Sequence, residues 1–205
     1  MAENSFNSNP CDDIPILDIP SLYKMPLDQL LLDDNEVPVF IPVICEFLHK
    51  FTSVIGIFRL CGSHNMIMNL GVIFDLRDCA VPPCASVHDV TSFLKLWLRD
   101  LPEPLIPPDL INDIYHPNDS ESIVTILKSM PVINRKCIAH IFWLIKDILD
   151  HQEINQMDLK NITTCFVTSL TQNSLNLIKP LPFKDIFDKA IGLLNEEKND
   201  FVLPP

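Results

Sequence analysis

Glycine is scarce. Four glycines in 205 residues are too few for the turns of a hairpin-rich sheet, and no Asn-Gly pair is present to close one. Basic residues are also few, 15 Lys+Arg against 27 Asp+Glu for a net charge of -12. That field repels phosphate backbones and anionic lipid surfaces, so nucleic acid is not expected as a partner. Nowhere do about 18 apolar residues run together. The opening Met1-Ala2-Glu3-Asn4-Ser5 lacks the basic and apolar blocks of a secretion signal. A cytoplasmic chain with no membrane insertion is expected. There is no CxxC, no HExxH, no Gly-x-Ser-x-Gly and no Walker loop, so neither a metal, a cofactor nor an enzymatic site of the chain's own is expected. The seven cysteines are odd in number and sit mostly in apolar runs such as Val43-Ile44-Cys45. They read as buried thiols in a reducing compartment and not as a disulfide framework.

What the chain does have is apolar surface and proline. Hydrophobic residues make up 47% of it, enough for one core without staples. Apolar positions recur at three and four along Phe40, Ile44, Phe47, Leu48 and Phe51, and again along Val90, Leu94, Trp97, Leu98 and Leu101. A third face follows at Ile138, Ile141, Leu144, Ile145, Ile148 and Leu149. Further helices are expected near 64–75, 108–115, 120–129, 158–171 and 184–195. Most of the 18 prolines fall between these stretches, where a missing N–H does little harm. The expectation is an all-α, single-domain helical bundle over 37–195, an N-terminal extension over 1–36 and a C-terminal tail over 196–205. The extension carries eight carboxylates against the single Lys24, and its Ile14, Ile16, Leu17 and Ile19 are broken by Pro15 and Pro20. It reads either as an extended segment lying across the domain or as a loose acidic tail.

Two segments stand apart from the core pattern. In Gly56-Ile57-Phe58-Arg59-Leu60-Cys61-Gly62-Ser63 two of the four glycines bracket an arginine between two helices. Glycines permit a tight loop, and Ile57 and Phe58 are suited to pin it while Arg59 projects. The plainer alternative is a surface arginine paired with an acid. The second segment runs from Ser86 to Pro107. Ser86 and Asp89 are spaced as a capping box, and Pro102 and Pro104 end the helix. Lys95 and Arg99, four apart, share a polar stripe that starts at Thr91. Their charges are balanced by Asp100, Glu103 or a neighbouring helix, or else by something outside the chain.

The motif Gly-Ile-Phe-Arg-x-x-Gly-Ser, followed by Leu-Lys-x-x-Leu-Arg-x-Leu-Pro-x-Pro-Leu, resembles the GTPase-activating domain for Rho-type small GTPases. Val37-Pro38, Met130-Pro131-x-x-Asn134, Asn155-x-Met157 and Asn161 extend the resemblance over about 37–195. It implies an all-helical domain, acting as a monomer, that binds a Rho-family small GTPase in its GTP-bound state and inserts an arginine finger in trans. Position by position, it implies Arg59 as the finger, Lys95 as a contact to the GTPase and Arg99 as the residue holding the finger loop. No cofactor belongs to the domain itself, since nucleotide and Mg²⁺ belong to the partner.

The chain also departs from the family. Where the pattern is Asn-Leu-Ala-x-x-Phe-x-Pro-Asn-Leu, it reads Asn161 to Leu170 with Ser169 at the second asparagine, which in the family touches the GTPase. Ile55 stands where an acid commonly precedes the Gly-Ile-Phe-Arg. Retention of Arg59 favours an activator. Ser169 favours the alternative, a module of the same fold that binds a GTPase or scaffold without accelerating hydrolysis.

Overall fold

The computed structural model describes residues 22–75, 79–107, 125, 127–172, 187, 188 and 190–192. These form helices α1 (Phe40–His49), α2 (His64–Asp75), α3 (Val87–Asp100), α4 (Val132–Asp150), α5 (Gln152–Asn155) and α6 (Leu159–Ile162). A π-helical turn, Thr163–Val167, then leads into α7 (Thr168–Leu170). Among the described residues the only strand-like pairing is an isolated bridge between Leu32 and Pro38. The helix expected at 108–115 lies outside the described residues. Those at 120–129 and 184–195 do so in part, and the residues described there are helical.

Helix α3 is the centre of the packing, against α2 on one side and against α1 and α7 on others, while α1 also packs on α4. Its stripe Val90, Leu94, Trp97 and Leu98 is fully buried, as a helix with one wide apolar face requires. Phe40 on α1 meets Phe74, Phe93 and Trp97 at ring-centroid distances of 5.8, 6.1 and 4.9 Å. The first pair is stacked and the other two are edge-on, and aromatic pairs of these kinds add about 0.5–1.5 kcal/mol each beyond the area they bury.

The polar stripe expected to begin at Thr91 instead climbs out of this core. Thr91 is buried with its hydroxyl donating to His88 O at 3.2 Å, Lys95 is half-buried and Arg99 is exposed. Residues 22–36 lie against the bundle. Leu22 and Tyr23 are buried, Tyr23 stands edge-on to Phe93 at 6.1 Å, and Lys136 Nζ donates to Glu36 Oε2 at 2.7 Å. Ile14 to Pro20, on which the two readings of the acidic segment rest, lie outside the described residues.

Cys45 and Cys137 are buried thiols, and burial pushes Cys45 up to about 12. Cys84 is disulfide-bonded, against the expectation of thiols throughout. An odd total and the lack of CxxC spacing argue against a framework of disulfides and carry no information about a single bond.

His140, read from its apolar neighbours as a core histidine, is 7% exposed on α4. Burial holds its imidazole below the usual histidine value; Asp33 pulls it the other way and His49 adds to the lowering. The unfolded chain therefore binds a proton that the fold disfavours. This contribution to stability is present above the ordinary histidine value of about 6.5 and is lost as pH falls toward the depressed one. Urea unfolding at pH 7.5 and 5.5 is expected to show the parent losing stability at the lower pH and His140→Gln losing less.

Candidate functional site

The loop joining α1 to α2 is held at three points. At its start, Gly56 N donates to Asn155 O at 2.8 Å. Asn155 is fully buried, and its side chain spends every hydrogen-bonding group at hand. Nδ2 donates to Thr52 O and Ile148 O, and Oδ1 accepts from Met157 N, all at 2.7 Å. One amide thus ties the loop, the end of α4 and the turn after α5 together. Gly56 has φ +70°, where a side chain is strained, and Leu60 and the Arg59 guanidinium lie over its bare face.

In the middle of the loop Phe58 is fully buried although its φ is +64°. Left-handed backbone at a bulky residue is sterically disfavoured by about 1–3 kcal/mol and persists only where neighbours enforce it. Two neighbours do. The ring of Phe58 packs on Phe166 at 4.5 Å, and Lys95 Nζ donates to Phe58 O at 2.6 Å. A hydrogen bond from a charged donor contributes about 1.5–3 kcal/mol, enough to offset the strain.

At the loop's end Gly62 N donates to Ser92 Oγ at 3.0 Å and Ser63 N to Asp89 Oδ1 at 2.6 Å. A Cβ on Gly62 would fall 2.4 Å from Asp89 Cα, so only glycine lets the loop approach α3 this closely. The Ser86–Asp89 capping box is formed as its spacing implies. Asp89 Oδ2 accepts from Ser86 N at 2.8 Å and from Ser86 Oγ at 2.6 Å. Its carboxylate is therefore occupied by neutral donors on both oxygens.

Arg59 follows the pinned Phe58 and is exposed. Among the described residues its guanidinium makes no hydrogen bond or ion pair. The alternative of a surface arginine paired with an acid of its own chain is thus not what these residues adopt. The cation that reaches the loop is Lys95, where the resemblance implied Arg99. Arg99 is exposed, one turn further along α3, and bonds to no described side chain or carbonyl. Burial lowers the Lys95 ammonium below the ordinary lysine value; the nearby Cys61 and Cys165 oppose this and Arg99 adds to it.

Asn161 is half-buried on α6. Its Nδ2 donates to Gln156 O at 3.2 Å, bracing the left-handed Gln156 (φ +59°) that follows Asn155. Ser169 is 2% exposed, so the surface contact expected of it is corrected to a core position. The signal was available: Ser169 lies seven residues after the buried Ile162 and three after the buried Phe166, the spacing of one helix face. Asn155 was legible only as part of a motif, although a lone asparagine flanked by helix ends is a usual way to satisfy stray carbonyls. Among the described residues no group of three or more His, Cys, Asp or Glu is placed to hold a metal ion. No helix among them is long and apolar enough to cross a membrane.

The fold is a helical bundle that presents an arginine with no partner among the described residues, and comparison with known proteins gives its family. The model of the RhoGAP domain family matches residues 38–174, and the chain belongs to that family. It is 29% identical over 165 residues to the Rho GTPase-activating protein gacY of Dictyostelium discoideum, covering 74% of this chain and 23% of that protein. It is 33% identical over 124 residues to human Rho GTPase-activating protein 24, covering 54% of this chain and 16% of that protein. The chain therefore spans less than a quarter of the length of these relatives. Among solved structures, human Rho GTPase activating protein 15 superposes with a TM-score of 0.68 at 22% identity, covering 90% of this chain and 93% of that one. That likeness is one of fold.

Replacing Asn155 by alanine is expected to leave Thr52 O, Ile148 O and Met157 N without their partner. The loss of these three buried bonds should lower the unfolding free energy by about 2–4 kcal/mol, read from urea denaturation.

Proposed function

We propose that this chain activates GTP hydrolysis by a Rho-family small GTPase of the Rho, Rac or Cdc42 type. It acts in the cytoplasm as a monomer and inserts Arg59 into the active site of the GTP-bound partner. The observation that carries this reading is an exposed guanidinium with no counter-ion among the described residues, next to a residue clamped by Lys95. Hydrolysis spreads negative charge over the γ-phosphate oxygens and the leaving oxygen, and a planar, permanently charged fork of donors can meet both. Nucleotide and Mg²⁺ are the partner's, so the chain is an activator with no hydrolytic site of its own. Within it Lys95 is the positioning residue for the finger loop. Arg99, free on the outer turn of α3, is the docking cation, and Asn161 supports the turn behind Asn155. The second reading, a module that binds without accelerating hydrolysis, drew on Ser169 as a weakened contact. With Ser169 in the core, that support falls away.

Single-turnover hydrolysis with GTP-loaded Rho, Rac and Cdc42-type proteins tests the proposal. Arg59→Ala is expected to lose about 10³- to 10⁵-fold of the acceleration, while affinity for the GTP-bound partner stays within about tenfold because ground-state contact area is retained. An alanine variant as fast as the parent, with binding intact, would make Arg59 a bystander.

The two α3 cations are expected to fail in different ways. Lys95→Met frees the loop and should lower the rate at saturation by about ten- to a hundredfold. Arg99→Ala should raise Kd severalfold and flatten its dependence on salt, as the loss of a rim charge does. Rate and affinity titrations at two ionic strengths decide between these roles.

A further inference from the structure

We propose that an apolar collar around Arg59, formed by Phe51, Ile55, Leu60 and Ile154, selects GTPases whose surface beside the nucleotide pocket is itself apolar and carries no unpaired cation opposite Ile55. This rests on the activator reading and goes beyond it, because it concerns which partner is taken.

Among the described residues six large hydrophobics are exposed, and four of them are these. Ile55 is 54% and Ile154 59% exposed, a high solvent exposure for branched aliphatic side chains. Distant in sequence, they are neighbours in space because Gly56 N bonds to Asn155 O at 2.8 Å. Leu60 and the Arg59 guanidinium share the bare face of Gly56, so the cation and the apolar side chains form one continuous surface. Phe51, whose ring packs on Phe47 at 4.9 Å, adjoins the same region along the chain, since the carbonyl of the next residue, Thr52, accepts from Asn155 Nδ2. A cluster of exposed apolar side chains on a held backbone marks an interaction surface.

The occupant follows from continuity and charge. Whatever receives Arg59 must also cover the side chains beside it, so the collar meets the rim of the same nucleotide pocket. Those four side chains offer no hydrogen bond and no counter-ion. A lysine or arginine buried against them would be desolvated without compensation, whereas an apolar patch would be covered favourably. The chain carries isoleucine at 55, where a carboxylate would have welcomed a cation.

The test measures affinity for a panel of Rho-family GTPases loaded with a non-hydrolysable GTP analogue, using the parent, Ile55→Glu, Ile154→Glu and the distant Val132→Glu, an exposed apolar site away from the loop. Arg59→Ala is run in parallel for hydrolysis. The proposal expects Ile55→Glu and Ile154→Glu to weaken binding to the preferred GTPase at least tenfold. It expects Val132→Glu to change it less than twofold, and Ile55→Glu to gain affinity for GTPases with a basic residue facing that position. Thermal unfolding of each variant confirms that the fold is kept. If Arg59→Ala abolishes acceleration but both collar variants bind within twofold of the parent, the collar is overturned and the activator reading stands. If the parent neither binds nor stimulates any GTPase of the panel, both are overturned.

Discussion

Phe58 holds its backbone at φ +64° with its ring sealed in the core, and the direction of Arg59 depends on it. In ordinary extended or helical backbone a fully buried ring and an exposed neighbour are compatible with many loop paths. The left-handed turn removes most of them. It sends the chain back on itself, so that Arg59 N and Leu60 N both donate to Gly56 O, at 2.8 and 2.9 Å. Such a turn at phenylalanine is not self-sustaining. It stands because Phe166 holds the ring and Lys95 holds the carbonyl. The path of the loop at Arg59 is thus set by a residue that is itself sealed in the core.

The same arrangement explains why the loop can be rich in contacts and still leave its arginine open. Each clamp acts on backbone or on a neighbour of Arg59: Asn155 on Gly56, Lys95 on Phe58, Ser92 on Gly62 and Asp89 on Ser63. Conformational freedom of the loop is thus removed when the domain folds, and on the activator reading proposed above less ordering remains to be done on binding.

Much of this was legible in the sequence, and the limits are physical. Helix faces were readable because burial repeats every three to four residues, and the capping box because Ser86 and Asp89 are local in sequence. The Gly56 to Ser63 loop announced itself by glycine in a glycine-poor chain. That Lys95 and not Arg99 reaches the Phe58 carbonyl was not legible. One helical turn separates them, and which of two cations reaches a carbonyl 37 residues away in sequence depends on how far α3 is sunk into the core. Resemblance misled at Ser169, where motif position outweighed a periodicity that already placed the residue inside. Asn155 was quoted for its place in a motif, and its role as a hub needed the three carbonyl and amide partners that only folding brings together.

Asp89 is a buried carboxylate bound directly to the loop that carries Arg59, and a buried acid ordinarily takes a cation as its partner. Both of its oxygens are instead committed, one to Ser63 N and the other to Ser86 N and Oγ. A carboxylate satisfied by neutral donors gains little from swinging to an exposed guanidinium, because solvent-exposed pairs contribute only about 0–1 kcal/mol, while each hydrogen bond given up contributes about 0.5–1.5 kcal/mol. Among the described residues the guanidinium has no partner. On the activator reading proposed above, no ion pair with those residues then has to break before an anion arrives from outside.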